Sequence, residues 1–375
     1  MKGNGCYELL VDAKAFSRRL DSDIRAAQQR VSLQAMTFEG DASGQQVADA
    51  IMASRAEDRR ILVDAYTRFT LSDKFVYAPT GLFDNELRAE VQSTQTMFTN
   101  LAQHGVGVRV TNPYGPLMLR RPARNHKKLM VIDDRIAYLG GINFSDHNFT
   151  WNDLMVRIED SKIALHLAKD FDSTWNGEPL ASVATFRDAE IYSLDGVSNP
   201  KMLRGLWKLV EQAQRSIHVL SPYLTFPFTE ALRKATERGV TVTLLTPEAN
   251  NKPIVRDYLL WAARRSGFDV CLQKNMSHLK ALLVDNRALV VGSSNFDIMS
   301  HYAQEEFVAV LREPKLIASF SENILLPNLA AARPLDFAIS ASRGWTCYLL
   351  LKLGELATRF ILALIGRGRR RVVPW

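Results

Sequence analysis

The sequence predicts an α/β chain made of two copies of one unit, each an α/β/α sandwich with a mixed sheet between helices. Three observations carry this. A polar pattern, His126, Lys128, Asp133 and Asn143, recurs as His278, Lys280, Asp285 and Asn295 at a constant offset of 152 (278 − 126 and 295 − 143). Apolar strand-like runs alternate with segments of helical period, as expected of a parallel or mixed sheet covered by helices. The order of these runs repeats around both patterns, so the repeat is global. A pseudo-twofold axis between the halves would bring both polar sets to one active site at their interface.

In order, residues 7–12 alternate weakly and read as a strand. Residues 16–30 carry Phe16, Leu20, Ile24 and Ala27 at helical spacing. Residues 31–38 read as a strand, 45–56 as a helix and 60–65 as a buried strand. The second half repeats this with a helix over 206–214, a strand over 215–220, a helix over 229–238 and a strand over 240–245. Residues 106–110 and 268–272 are equivalent strands ahead of each motif. Residues 161–175 and 314–324 are matching helices after it.

The halves differ in length. From Arg30 to His126 is 96 residues, from Arg215 to His278 only 63, and the extra 33 fall mostly in 66–104. That stretch carries Phe69, Phe75, Tyr77, Phe83 and Phe98. It reads either as a helical excursion with its own small core or as a cover shaping an apolar channel over a catalytic cleft. Residues 176–187 read as a linker. The expected division is 1–180, 181–335 and a C-terminal segment 336–375.

The net charge is +7, of which Arg367, Arg369, Arg370 and Arg371 supply +4, leaving 7 − 4 = +3 for the rest. Basicity is therefore largely a terminal patch, which points to an anionic surface met by the tail. Cys6, Cys271 and Cys347 are odd in number and without metal-ligand spacing, which fits unpaired thiols in a reducing compartment. The first residues hold no apolar run of the length a secretory signal needs. The expectation is a peripheral protein on the cytoplasmic face of the cell membrane.

Residues 345–365 are 21 long, enough to span a bilayer. The energetics oppose spanning: ten Leu, Ile and Phe side chains give roughly −3 to −6 kcal/mol, while Lys352, Glu355 and Arg359 each cost about 2.5 kcal/mol or more. Those charges are 3 and 4 apart and share one face. A helix lying in the interface, with the arginines on anionic head groups, fits this pattern. The alternative is a helix docked on the core or on a second subunit; the oligomeric state itself is not read from the sequence.

At each motif, a strand of period two puts the His and the second Lys (His126 and Lys128) on one face and Lys127 on the other. A Gly-rich turn can bring Asn143, or Asn295, back beside them. Imidazole, ammonium and carboxamide together suit a phosphodiester. Lys128 and Lys280 can neutralise non-bridging oxygens, and Asn143 and Asn295 can donate to them. One histidine can attack phosphorus and the other can protonate the leaving alcohol. The lysines supply the positive charge, so neither a metal nor another cofactor is expected.

This double pattern resembles the phospholipase D superfamily, whose motif is His-x-Lys-x4-Asp followed by Gly-Gly/Ser-x-Asn. The fold implied is the duplicated phospholipase D fold. Residues 124–143, with Trp151, Asp153 and 156–159, are similar to bacterial cardiolipin synthases. The resemblance implies His126 as nucleophile and His278 as general acid and base. It implies a downstream carboxylate orienting the histidine of the opposite half, matched by Asp153 and Glu306, although the 152 offset lands on Glu305. Asp133 and Asp285 belong to the motifs and fit a supporting role. After the second motif, residues 295–300 depart from the family's usual Asp-Pro-Arg-Ser-like run.

The activity this implies is a phosphatidyltransferase joining phosphatidylglycerol to a second lipid alcohol, through a covalent phosphohistidine. The alternatives are a phospholipase D hydrolase, a metal-independent nuclease of the superfamily, and an inactive membrane scaffold. The +3 outside the tail weighs against nucleic acid, and the two intact His–Lys–Asn sets weigh against an inactive scaffold.

Overall fold

A computed structural model describes residues 6–364 and 371–375. They fall into two compact units, residues 6–180 with 371–375, and residues 181–364. Unit 1 runs β1 (Cys6–Val11), α1 (Ala13–Ala26), β2 (Arg30–Ala35), α2 (Ala42–Ala53), β3 (Asp58–Asp64), α3 (Asn85–Gln103), β4 (Gly107–Thr111), β5 (Leu129–Ile132), β6 (Ile136–Gly140), β7 (Leu154–Glu159) and α4 (Ser161–Trp175). Its helices start on side-chain caps, as Asp12, Asp41, Asp84 and Asp160 each accept a bond from the first turn.

Unit 2 runs β8 (Ser182–Thr185), β9 (Ala189–Asp195), α5 (Arg204–Glu211), β10 (Ser216–Leu220), α6 (Phe228–Glu237), β11 (Thr241–Pro247), α7 (Pro253–Arg265) and β12 (Asp269–Gln273). It continues with β13 (Ala281–Val284), β14 (Ala288–Gly292), α8 (Ile298–Tyr302), β15 (Glu305–Leu311), α9 (Pro314–Phe320) and α10 (Ala341–Leu364). The last strand, β16 (Val372–Pro374), belongs to unit 1.

The two sheets share one topology. Unit 1 has the order β1-β7-β6-β5-β2-β3-β4-β16, and unit 2 has β8-β9-β15-β14-β13-β10-β11-β12 followed by a two-residue strand, Arg333–Pro334. Strands β2, β3 and β4 are parallel to one another, while β5 runs antiparallel to β2; the same holds for β10 to β13. The motif strands β5 and β13 sit mid-sheet and are wholly buried, which their continuous apolar runs require. Met130 and Ile132 face a core with Phe16, Ile51 and Phe98. On the other face α4 covers the strand.

Three expectations need correction. Residues 182–185 of the expected linker form β8, an edge strand held by its antiparallel backbone pairing with β9, with Ser182 and Ala184 half-buried and Val183 and Thr185 exposed. Helix α3, inside the expected insertion, is the counterpart of α7. Most of the excess does fall before residue 107, as expected, but around the helix and not as a separate insertion: 20 residues separate Asp64 from Asn85 against five between Pro247 and Pro253, α3 is six residues longer than α7, and 14 residues separate Thr111 from His126 against four between Gln273 and His278. Phe98 accordingly belongs to the main core, whereas Phe83 is 86% exposed.

Residues 336–375, finally, are not a unit of their own. Helix α10 packs on α7 in unit 2, while β16 pairs with β4 and Trp375 stacks on Phe98 in unit 1. Among the described residues no helix is long and apolar enough to cross a membrane. Of the tail arginines, Arg367, Arg369 and Arg370 lie outside the described residues.

Beside the first motif, Lys127 and Asp170 form an ion pair of 2.5 Å with both side chains fully buried. Leu279 holds the matching place in unit 2, equally buried. Breaking a buried pair strands a charge, while replacing both partners by apolar residues is often neutral. Lys127→Leu should cost about 3–5 kcal/mol of stability, and adding Asp170→Leu should restore most of it, measured by urea unfolding.

Candidate active site

Each unit builds its polar set at the entry to its motif strand. In unit 1, His126 and Lys128 are buried and precede β5, with Lys128 Nζ donating to the His126 carbonyl at 2.8 Å. Lys127 points the other way, to Asp170. The approach to the motif is fixed by buried Asp64, which pairs with Arg124 at 2.8 Å and accepts the Asn125 amide at 2.7 Å. Gln34 donates to Asn125 Oδ1 at 2.9 Å and ties this loop to β2. Asn143 is held by Asn148 Oδ1 at 3.2 Å and by the Thr37 amide at 3.4 Å.

In unit 2, Lys280 Nζ donates to the His278 carbonyl at 2.7 Å and lies 2.9 Å from Nδ1 and 3.0 Å from Nε2 of the same histidine. The Asn295 amide donates to Ser300 Oγ at 3.1 Å, and its own Oδ1 is buried with no protein partner. Each unit thus gathers its imidazole and ammonium, with the asparagine following on the turn after the next strand.

The sheet register fixes which glutamate answers Asp153. Gly140 pairs with Met155, and Gly292 pairs with Val308. Counting two residues back from each partner gives Asp153 and Glu306. The 152 offset slips by one because Asp146–Phe149 has four residues where α8 has five. Glu306 accepts from Ser293 Oγ at 2.5 Å and from Ser300 Oγ at 2.7 Å. In unit 1 the place of Ser293 is taken by Gly141, where a Cβ would come within 2.4 Å of the Asp153 carboxylate.

Asp133 and Asp285 are removed from the catalytic group. Each sits at the far end of its motif strand, about 20 Å of extended chain from the histidine. Asp133 accepts from the backbone amides of Gln28 (3.0 Å), Gln29 (2.8 Å) and Arg30 (2.9 Å). Asp285 does the same for Gln214, Arg215 and Ser216 at 2.9, 2.8 and 3.0 Å. Both also adopt positive φ, with the next residue, in the three-residue hairpin loop that follows the motif strand. The motif aspartate therefore closes one hairpin and clamps the start of the neighbouring strand.

Sequence reasoning passed over Tyr223 and Lys252. The Tyr223 ring lies 6.1 Å from the His278 ring, and Lys252 Nζ stands 3.9 Å over Tyr223. The equivalent of Tyr223 in unit 1 is Thr37, so comparing the repeats could not flag it. Glu39, Asp41 and Glu90 are the one carboxylate cluster among the described residues with the spacing of a cation site. Burial, then the hydrogen bond with Glu90, pushes the Glu39 carboxyl up to about 9.

The family model described as cardiolipin synthase, phospholipase D-like domain, matches residues 20–175 and 206–325, which include both motifs. The chain belongs to that family. It is 26% identical over 359 residues to the major cardiolipin synthase ClsA of Bacillus subtilis, covering 85% of this chain and 69% of that protein. It is 26% identical over 379 residues to cardiolipin synthase B of Escherichia coli K12, covering 90% and 84%. A crystal structure of phosphatidylserine synthase from Haemophilus influenzae shares the fold at 17% identity, with a TM-score of 0.68 over 95% of this chain and 94% of that one. As a member of the cardiolipin synthase family the chain is an enzyme of the phospholipase D superfamily.

For Asp285, burial opposes ionisation, but its three backbone donors outweigh it and hold the carboxyl below its ordinary value. A depressed value stabilises the fold above the unfolded pKa and is lost as pH falls. Asp285→Ala should cost about 1–3 kcal/mol near neutral pH, and the gap to wild type should close as pH drops below 3.8. Glu39 behaves oppositely. Its raised value stabilises the fold at low pH, and this is lost as pH rises from 4.5 towards about 9. Urea midpoints should show Glu39→Gln more stable than wild type at about pH 8 and close to it at about pH 5.

Proposed function

We propose that this enzyme is a phosphatidyltransferase of the cardiolipin synthase type, moving a phosphatidyl group from phosphatidylglycerol to a second lipid alcohol. The observation that carries this reading is the pair of complete His–Lys–Asn sets, each backed by a carboxylate in the same register, within a chain whose family match spans both. The names of its relatives supply the substrate class.

In this mechanism His126 attacks phosphorus and forms a phosphohistidine, while His278 gives a proton to the departing glycerol oxygen. His278 then takes the proton of the acceptor hydroxyl, which attacks phosphorus and frees His126. Lys128, Lys280, Asn143 and Asn295 offset charge on the non-bridging oxygens as it builds up. Asp153 and Glu306 orient the histidines. If water took the place of the acceptor, the same steps would release phosphatidic acid. We place the work at the cytoplasmic face of a membrane, as a peripheral enzyme meeting an anionic surface. Nucleic acid is the weaker substrate, given +3 outside the tail (7 − 4).

Labelled phosphatidylglycerol vesicles, alone and with phosphatidylethanolamine or glycerol, test this beside single-stranded DNA. Wild type should form cardiolipin. His126→Ala and His278→Ala should each lower the rate by about 10²–10⁴-fold or more. An acid-labile phosphoryl adduct should appear by mass spectrometry in wild type and be lost in His126→Ala. DNA cleavage without lipid turnover would overturn the reading.

A further inference from the structure

We infer that α10 is the surface by which this chain docks on a phospholipid bilayer, its outward apolar stripe entering the head-group region. The inference rests on the lipid-acting function proposed above for its choice of occupant. The helix lies beyond the region matched by the family model, which ends at residue 325.

The helix is oriented against the usual pattern, with a carboxylate inward and leucine outward. Glu355 is 5% exposed and is clamped by Lys352 at 2.9 Å and Arg359 at 3.2 Å. Both cations are seated on rings of unit 2: Lys352 Nζ lies 3.8 Å over Phe226, and the Arg359 guanidinium 5.1 Å over Tyr302. Gly344 lies against Trp261, where a Cβ would fall 2.2 Å from the ring. Arg343 pairs with Asp257 on α7.

The opposite face is a stripe of Trp345, Leu349, Leu353, Leu356, Phe360 and Leu364, each between 49% and 69% exposed. Steps of three and four residues keep these on one side for about 28 Å of helix. A soluble surface rarely carries so continuous an apolar row without a partner.

Charge selects a lipid as that partner. The stripe is followed in sequence by Arg367, Arg369, Arg370 and Arg371, with no acid in residues 366–375. A tryptophan near the start, leucines along one side and a basic run next in the sequence suit an interfacial helix on an anionic leaflet. A second copy docking stripe to stripe would present the same surface, whose one acid, Glu355, is already buried and paired. Position agrees too. Tyr302, which seats Arg359, ends α8, and Ser300 of α8 holds Glu306 and the Asn295 amide. The lipid-facing helix and the second motif therefore share one supporting element.

The test is sedimentation with phosphatidylcholine vesicles containing phosphatidylglycerol, using wild type and the triple variant Leu353→Glu, Leu356→Glu, Phe360→Glu. The inference expects at least about a tenfold loss of vesicle binding with an unchanged thermal midpoint, since these side chains face outward. Unchanged binding overturns it. So does a wild type that ignores vesicles but forms a dimer that the triple variant breaks. Should the triple variant fail to fold, brominated lipid provides a second measurement. It should quench wild-type fluorescence more than that of Trp345→Phe, and equal quenching overturns the inference. Binding is read without turnover. A chain that docks but makes no cardiolipin would therefore sink the proposed function and leave this inference standing.

Discussion

Two adjacent lysines, both fully buried, point in opposite directions, and the first candidate site depends on that. An ammonium removed from water must find acceptors, and Lys127 finds the Asp170 carboxylate beneath the sheet. With that partner fixed, the alternation of an extended chain leaves His126 and Lys128 on the other side. A slip of one residue would bury the wrong lysine unpaired and turn the histidine into the core. Unit 2 reaches the same register with Leu279, so the fold requires only that this position be satisfied, by charge pairing or by apolar packing.

The other end of each motif strand is pinned by the aspartate. Three backbone amides at the start of the adjacent antiparallel strand would otherwise lack partners, and Asp133 or Asp285 accepts all three. Each motif strand is therefore fixed at both ends, with reactive groups at one and a clamp at the other. This explains why the aspartate is part of the repeated pattern although it lies far from the histidine.

The halves are alike in frame and unlike in furnishing. Beside His278 stand Tyr223 and, over its ring, Lys252, and unit 2 also carries the Ser293–Glu306–Ser300 chain. Unit 1 has Thr37, Gly141 and Asp153 at the matching places, with buried Glu39 close in sequence. A longer glutamate needs hydroxyl partners to fix it, whereas the shorter Asp153 is wedged against a glycine with no room for a Cβ. The duplicated frame supplies two similar sets, and these local differences give the two histidines separate surroundings.

The sequence by itself determined the repeat, the motif spacing, most strands and helices, and the single charged face of the last helix. All of these depend on local periodicity, which side-chain order records directly. It could not separate Glu305 from Glu306, because a one-residue difference between two short helices shows only in the ladder of β7 and β15. Nor could it place β8, or recognise α3 as the partner of α7, since both depend on which strand edge or helix lies nearby. The direction of the charged face of α10 was also a tertiary decision. Glu355 could have faced water, but Phe226 and Tyr302 offered ring faces on which Lys352 and Arg359 lie while pairing with the buried carboxylate. The leucines were left outside.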